Sequence, residues 1–339
     1  MKRFMAFLLV TALIISFQGC GARREKAKNI KVGVLCYARN DTFINELMNC
    51  YSKDMGKYDR KNLNFNLTVR WGNNSQRTQN SQAEELIEDG AKILIVNLVD
   101  RTSPSQIIDI AKKNSVPVIF FNREPVNEDL NQWDKLFYIG AEAGMSGDLQ
   151  GELASSDIKK DPSADKNGDG KIQYVVLQGQ TGHQDSIIRT EKSIAKIKEE
   201  GIVLDKLCTE TANWNRSEAE SRMQEILEKY PGQVELVLSN NDDMALGAVD
   251  AYNKMNISED SRPLIYGIDG SVVGLNALLN GAINGTVYND KVSQAAAMAE
   301  LSYDLALGKD YSDLNLTDGK YKLFPYKVIT RTNAEQFKN

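Results

Sequence analysis

Short runs that are apolar on both faces recur along this chain with stretches of helical period between them, and that alternation narrows the fold to one class. The runs lie at 30–37, 63–69, 92–98, 116–121 and 137–139, and again at 172–178, 203–209, 234–239, 264–268 and 285–288. A strand that alternates apolar with polar residues can face water on one side. A run such as Val-Pro-Val-Ile-Phe-Phe121 cannot, and must be covered on both. Helix-like stretches beginning at Phe43 and running through Ala83 to Glu88, Ile107 to Lys113 and Gly147 to Ser155 supply such covers. The 339 residues suffice for two units, each with its own core. The expected fold is therefore α/β, with two doubly wound, parallel-sheet, Rossmann-like domains that meet near Gly140. No long linker or repeat divides the chain, so the domains are expected to exchange strands.

In open parallel sheets a ligand lies beyond the carboxyl ends of the strands, and the residues found there are of one kind. Asp41 and Phe43 follow the first run, Asn122 ends Val-Ile-Phe-Phe, and His183, Asp185 and Arg189 follow Val-Val-Leu-Gln178. Trp214 follows the 203–209 run, while Asn241 and Asp242, Asp269 and Asn289 close the last three. Any one of these could be a helix cap. Together they form a set in which amides donate and accept, carboxylates accept from hydroxyls, and Arg189 donates in a fixed fork. A neutral polyhydroxylated molecule matches that set, with Phe43 and Trp214 placed to cover the flat C–H faces of a sugar ring.

A second feature is local. The stretch Asp165-Lys-Asn167-Gly-Asp169-Gly170-Lys171-Ile-Gln173 puts oxygen-bearing side chains at positions 1, 3, 5 and 9, a glycine at 6, and the carbonyl of Lys171 at 7. That is calcium-loop spacing. The twelfth position is Val176, so another segment must close the shell, and the loop runs into a strand instead of a helix.

The remaining features exclude more than they assign. With 41 basic against 46 acidic side chains and no basic block, nucleic acid is not an expected partner. No glycine-rich phosphate loop follows the first strand, and the single histidine, His183, has no triad-like neighbours in sequence. Cys36, Cys50 and Cys208 show no C-x-x-C spacing and indicate no disulfide framework. Met1-Lys2-Arg3, the apolar run from Phe4 to Phe17, and Gln18-Gly19-Cys20 read as an export signal. That segment resembles a bacterial lipoprotein signal, which implies cleavage before Cys20 and lipidation of that residue. A polar linker, 21–29, follows. The competing function class is a secreted sugar hydrolase using paired carboxylates such as Asp41 and Asp269.

From about Ile30 onward the chain resembles the periplasmic galactose/glucose-binding proteins of bacterial sugar ABC transporters. The resemblance rests on Val-Asn-Leu-Val-Asp100, Phe-Phe-Asn-Arg-Glu-Pro125, the Asp165 to Gln173 loop, Gly-His-Gln-Asp185 with Arg189, Asn-Asn-Asp242 with Met244-Ala-Leu-Gly-Ala-Val249, Tyr-Gly-Ile-Asp269, and Gly-Thr-Val-Tyr-Asn-Asp290. It implies a monomeric, non-enzymatic protein with sugar contacts at Asp41, Phe43, Asn122, His183, Asp185, Arg189, Trp214, Asn241, Asp269 and Asn289. It implies structural calcium held by Asp165, Asn167, Asp169, Lys171 and Gln173, with Asp205 in the place of the family's closing glutamate. The lobes implied are 30–139 with 292–322, and 140–291 with 323–339, joined by three crossings. The implied partners are D-galactose or D-glucose, an ABC permease, and a chemoreceptor or sensor kinase. The implied setting is the periplasm or the outer face of the cytoplasmic membrane, reached only through the lipid anchor.

Overall fold

The computed structural model describes residues 27–59 and 63–338; the export signal and Cys20 lie outside them. The first half alternates strictly: β1 (Lys28–Cys36), α1 (Thr42–Tyr58), β2 (Leu63–Trp71), α2 (Gln76–Glu88), β3 (Ile93–Val96), α3 (Ser105–Lys113), β4 (Val118–Phe121), α4 (Asn127–Leu130) and β5 (Leu136–Ala141). The second half repeats the pattern with α5 (Ala143–Lys160), β6 (Ile172–Gln178), α6 (Gln184–Glu199), β7 (Leu204–Thr211), α7 (Arg216–Lys229), β8 (Leu236–Ser239), α8 (Asp242–Lys254), β9 (Leu264–Tyr266), α9 (Val272–Asn280) and β10 (Thr286–Tyr288). Then come α10 (Lys291–Leu307), β11 (Tyr321–Phe324) and β12 (Lys327–Ile329).

Two sheets result. The first runs β11-β5-β4-β3-β1-β2 and is parallel throughout; the second runs β7-β6-β8-β9, also parallel. Single bridges at Tyr266 to Gly285 and Asp269 to Tyr288 continue the second sheet to β10, on which β12 pairs antiparallel. The chain passes between the lobes after β5, after β10, and between β11 and β12. Because β11 runs to Phe324, the last crossing falls at Pro325, slightly beyond position 322.

Coverage on both faces explains the runs. In the first lobe Val32, Val34 and Ile119 pack with Leu47 and Tyr51 of α1 and Met298 of α10, while Leu35, Leu94 and Phe120 pack with Leu86 of α2 and Ile107 of α3. The second lobe repeats this, with Val175 and Leu177 against α7 and α8, and Tyr174 and Val176 on the face that holds Leu153 of α5 and Ile197 of α6. Each such aliphatic side chain contributes about 1.5–3 kcal/mol on burial. Exchange of α10 and β11 into the first lobe ties the two cores together, so the strand ends of both sheets face one cleft.

Candidate functional site

Capping fixes several cleft residues. Asp41 caps α1, with Oδ1 accepting from Ile44 N at 2.8 Å and Oδ2 accepting from the Tyr37 hydroxyl at 2.7 Å. Asn241 caps α8 by accepting from Met244 N at 2.9 Å, and its amide nitrogen donates to Trp214 O at 3.3 Å. His183 caps α6 through Nδ1, which accepts from Asp185 N at 3.1 Å, so that in the neutral ring the proton is on Nε2. Each cap satisfies a backbone donor and also aims its residue past the strand end.

Others are held by unusual backbone. Asn122, Trp214 and Asp269 have φ of 59, 65 and 117°. Non-glycine residues rarely hold such values, and surroundings must impose them. The Trp214 ring packs flush against Gly179, where a Cβ would collide with it. Its edge meets the His183 ring at 5.0 Å and 73°.

Arg189 sits at the centre. It is 3% exposed and donates to Asn240 O at 2.8 Å, to Asp185 Oδ2 at 3.1 Å and to the Tyr326 hydroxyl at 3.1 Å, with Asp269 Oδ1 at 3.6 Å. Burial works against its charge, but Tyr326, Asp185 and Asp269 outweigh burial and raise its pKa. Asp269 is pushed well above the usual carboxylate range by burial, with Arg189 opposing and Asp242, Asp41 and Asp243 adding to the rise. Burial also raises Asp185, against the pull of Arg189, Arg123 and Arg101. His183 is driven well below its ordinary value, first by burial and then by Arg123, Arg189 and Arg101.

One chamber is lined by Asp41, Phe43, Asn122, His183, Asp185, Arg189, Trp214, Asn241 and Asp269. Asn289 is not in that lining. Its Oδ1 turns away to accept from Gln294 Nε2 at 2.7 Å. Two further residues complete the chamber, Tyr37 and Arg123. Both adjoin residues singled out from the sequence, at the end of β1 and directly after Asn122, and position was the only signal for them.

The chamber encloses about 20 Å³, room for roughly one water. Two vestibules of about 400 and 230 Å³ flank it on either side of a bridge in which Arg123 Nη2 of one lobe donates to Gln180 Oε1 of the other at 2.9 Å. A second bridge joins the lobes where Val272 N donates to Glu46 Oε1 at 2.9 Å. A ring-sized occupant therefore requires the lobes to part, by rotation at the three crossings.

The Asp165 to Gln173 loop lies away from the chamber at the opposite end of β6. It wraps on Asp165, whose Oδ1 accepts from Gly168 N at 2.7 Å and Oδ2 from Gly170 N at 2.8 Å, and both glycines have positive φ. Asn167, Asp169 and Gln173 are drawn together, with Gln173 Nε2 donating to Asp169 Oδ2 at 2.9 Å and Asn167 Nδ2 to Gln173 Oε1 at 3.1 Å. Asp205 does not join them. It is about half exposed and faces the Lys171 ammonium at 4.0 Å. The carboxylate that reaches the loop is Glu235, 2% exposed, whose Oε1 accepts from Lys166 N at 2.7 Å and Oε2 from Gln173 N at 2.9 Å. β6 lies between β7 and β8, so Asp205 and Glu235 both stand beside Gln173; the side chain of Asp205 turns outward to Lys171, and that of Glu235, directly before β8, turns inward to the loop.

The donor set of Asp165, Asn167, Asp169, Gln173, Glu235 and the Lys171 carbonyl is all oxygen, as a hard cation demands. Glu235 is a buried carboxylate whose hydrogen bonds come from backbone N–H groups. Among the described residues no three His, Cys, Asp or Glu side chains already stand in metal-holding geometry, since the loop carboxylates are turned onto the loop's own amides.

The sequence matches the family described as periplasmic binding protein domain over residues 32–310. It is 32% identical to the D-galactose/methyl-galactoside binding periplasmic protein of Haemophilus influenzae, over 92% of each chain. It is 28% identical to the xylitol-binding protein of Mycolicibacterium smegmatis, over 96% of this chain and 84% of that one. The fold resembles that of an ABC transporter solute binding protein from Bacillus halodurans C-125 with bound myo-inositol, with a TM-score of 0.75, 25% identity, and coverage of 93% of this chain and 98% of that one.

Proposed function

The chain belongs to the periplasmic binding protein family, whose members bind and deliver sugars for ABC transport without turning them over, and from that premise we propose that it captures D-galactose or D-glucose between its lobes. The observation that carries this reading is the chamber itself. Nine side chains from the strand ends of both lobes converge there, combining hydroxyl acceptors, a buried guanidinium fork and two aromatic rings. Asp41 is read as the contact to the 4-hydroxyl. Each of its oxygens accepts one internal hydrogen bond and retains a second lone pair, so either epimer's hydroxyl finds an acceptor. Titration calorimetry with a monosaccharide panel tests this: glucose and galactose should bind within about tenfold of each other, some 1.4 kcal/mol, and more tightly than xylitol or myo-inositol. If one of those polyols binds more tightly than both hexoses, the reading fails.

The reading extends to structural calcium. Asp165, Asn167, Asp169, Gln173, the Lys171 carbonyl and Glu235 would hold the ion, whose charge would offset carboxylates that now meet only amides. The chain itself supplies the preformed turn at Gly168 and Gly170 and the rigid anchor of β6 and β8. Lipidation at Cys20 would hold the protein at the outer face of the membrane beside its permease; Cys20→Ala should then release it into the soluble fraction of the extracytoplasmic space.

A further inference from the structure

We infer that the wider vestibule is a second binding site, for a carboxylate or phosphate carried by the sugar in the chamber. The inference rests on the sugar-binding reading above. This vestibule, about 400 Å³, opens between the loop after β3 and the loop after β6, and Arg101, Arg123 and His183 are among its walls. The hydrogen bonds of both guanidinium groups go to neutral oxygens. Arg101 Nε donates to the backbone oxygen of Glu124 at 2.8 Å, while Arg123 donates to Val99 O at 2.7 Å and to Gln180 Oε1 at 2.9 Å.

Arg123 is 4% exposed, and its Nε has no hydrogen-bond partner among the described residues. A buried guanidinium without a bonded anion is costly, and its planar fork matches carboxylate and phosphate. Its partial compensation comes from the Tyr37 ring, whose centre lies 3.6 Å from its central carbon, and from Asp41 and Asp185, which act on it through space without a hydrogen bond. The one carboxylate of the vestibule wall, Asp100, is turned into its own loop, where it accepts from Thr102 N, Thr102 Oγ1 and Ser103 Oγ. The chamber carboxylate nearest in sequence to this wall, Asp185, is already bound by Arg189. The depressed pKa of His183, due to burial and then to three arginines, reports the same positive potential. A neutral sugar fills the chamber and gives neither guanidinium an anion to bond, whereas a sugar with an anionic arm supplies one.

The test is calorimetry of the purified chain with galactose, galacturonate, galactose 1-phosphate, galactose 6-phosphate and the neutral disaccharide melibiose. At least one anionic sugar should bind tenfold or more tightly than galactose, and the carboxylate and phosphate arms show which anion is preferred. Arg101→Gln, a vestibule residue outside the chamber lining, should lose most of that gain and leave galactose affinity within twofold. Anionic sugars that bind no better than galactose, a gain untouched by Arg101→Gln, or an equal gain with melibiose would each overturn the inference while leaving the sugar-binding reading intact. Failure of every sugar in the panel to bind would overturn both.

Discussion

Two acidic clusters sit at opposite ends of β6, and they are neutralised differently. In the cleft, Asp185 and Asp269 face a guanidinium that the fold supplies, at 3.1 and 3.6 Å. In the loop, Asp165, Asp169 and Glu235 meet backbone N–H groups. A carboxylate already paired with arginine has spare lone pairs but little uncompensated charge, and suits the hydroxyls of a neutral ligand. Carboxylates hydrogen-bonded only to amides have no guanidinium in the way, and suit a cation. On the proposed reading, one strand then carries a hydroxyl-binding end and a cation-binding end, separated by the choice of counter-charge.

The harshest test of this contrast is Arg189→Ala. It leaves Asp185 and Asp269 buried without their cation, and removal of one partner from a buried pair costs about 3–5 kcal/mol. Urea unfolding should show a loss of that order, with sugar binding abolished in whatever fraction folds. A stability within 1 kcal/mol of the wild type, roughly the worth of an exposed pair, would mean that the cleft carboxylates do not depend on the fork.

At the other end, Glu235→Gln keeps the shape but removes the charge. Wild-type protein at about one hundred times the calcium dissociation constant should gain about 2.7 kcal/mol over chelated protein. The variant should lose most of that increment and keep its galactose affinity at saturating calcium. An undiminished calcium response in the melting curve would remove Glu235 from the shell.

Asp41→Ala should weaken glucose and galactose alike by about 1.5–3 kcal/mol, the value of a hydrogen bond to a charged group. It should also lower stability by about 1 kcal/mol through the lost helix cap. Asp41→Asn retains a capping oxygen but exchanges one acceptor for a donor, so calorimetry should show the two epimers drawing apart. Equal affinities in that variant would place the 4-hydroxyl elsewhere.

A smaller effect concerns pH. Because the folded-state pKa of His183 lies well below its ordinary value, the neutral ring is favoured by folding. Its contribution to stability is therefore complete above the unfolded value near 6.5 and is lost as pH falls toward the folded value, at most about 1.4 kcal/mol per pH unit. Sugar affinity should stay within twofold between pH 7 and 8, where the ring is neutral in both states. A titration step in affinity across that window would show a charged His183 in the cleft.

The parts of the molecule that were readable from sequence are those set by local rules. Parallel strands covered on both sides must be continuously apolar, so β3, β4 and β6 announce themselves. Caps and strand ends place Asp41, His183 and Asn241 in the cleft because helix starts and ligand sites share the same edge of the sheet. The Asp165 to Gln173 loop is likewise a spacing within nine residues. What escaped depends on which strands become neighbours and which way a side chain turns. Asn289 stands at a strand end but spends its oxygen on Gln294, one turn into α10. Arg123 looks like a surface residue beside Asn122, and only the closed lobes show it buried over Tyr37. The exchange of Asp205 for Glu235 at the loop escaped for the same reason: Asp205 in β7 and Glu235 before β8 both lie beside Gln173, and only the direction of each side chain decides which one reaches the loop.

That exchange yields the gentlest test. Asp205 and Lys171 form a half-exposed pair at 4.0 Å, the kind that contributes about 0–1 kcal/mol. Asp205→Ala should therefore change the calcium-free melting temperature slightly and leave the calcium-dependent increment unaltered, in direct contrast to Glu235→Gln. The two variants distinguish the flanks of β6 from one another: a shell closed from the β8 side loses its ion with Glu235 alone, and a shell closed from the β7 side loses it with Asp205. If the calcium increment vanishes in Asp205→Ala, the loop must swing toward β7 on binding, and the hydrogen bonds that Glu235 accepts from Lys166 N and Gln173 N serve the metal-free form only.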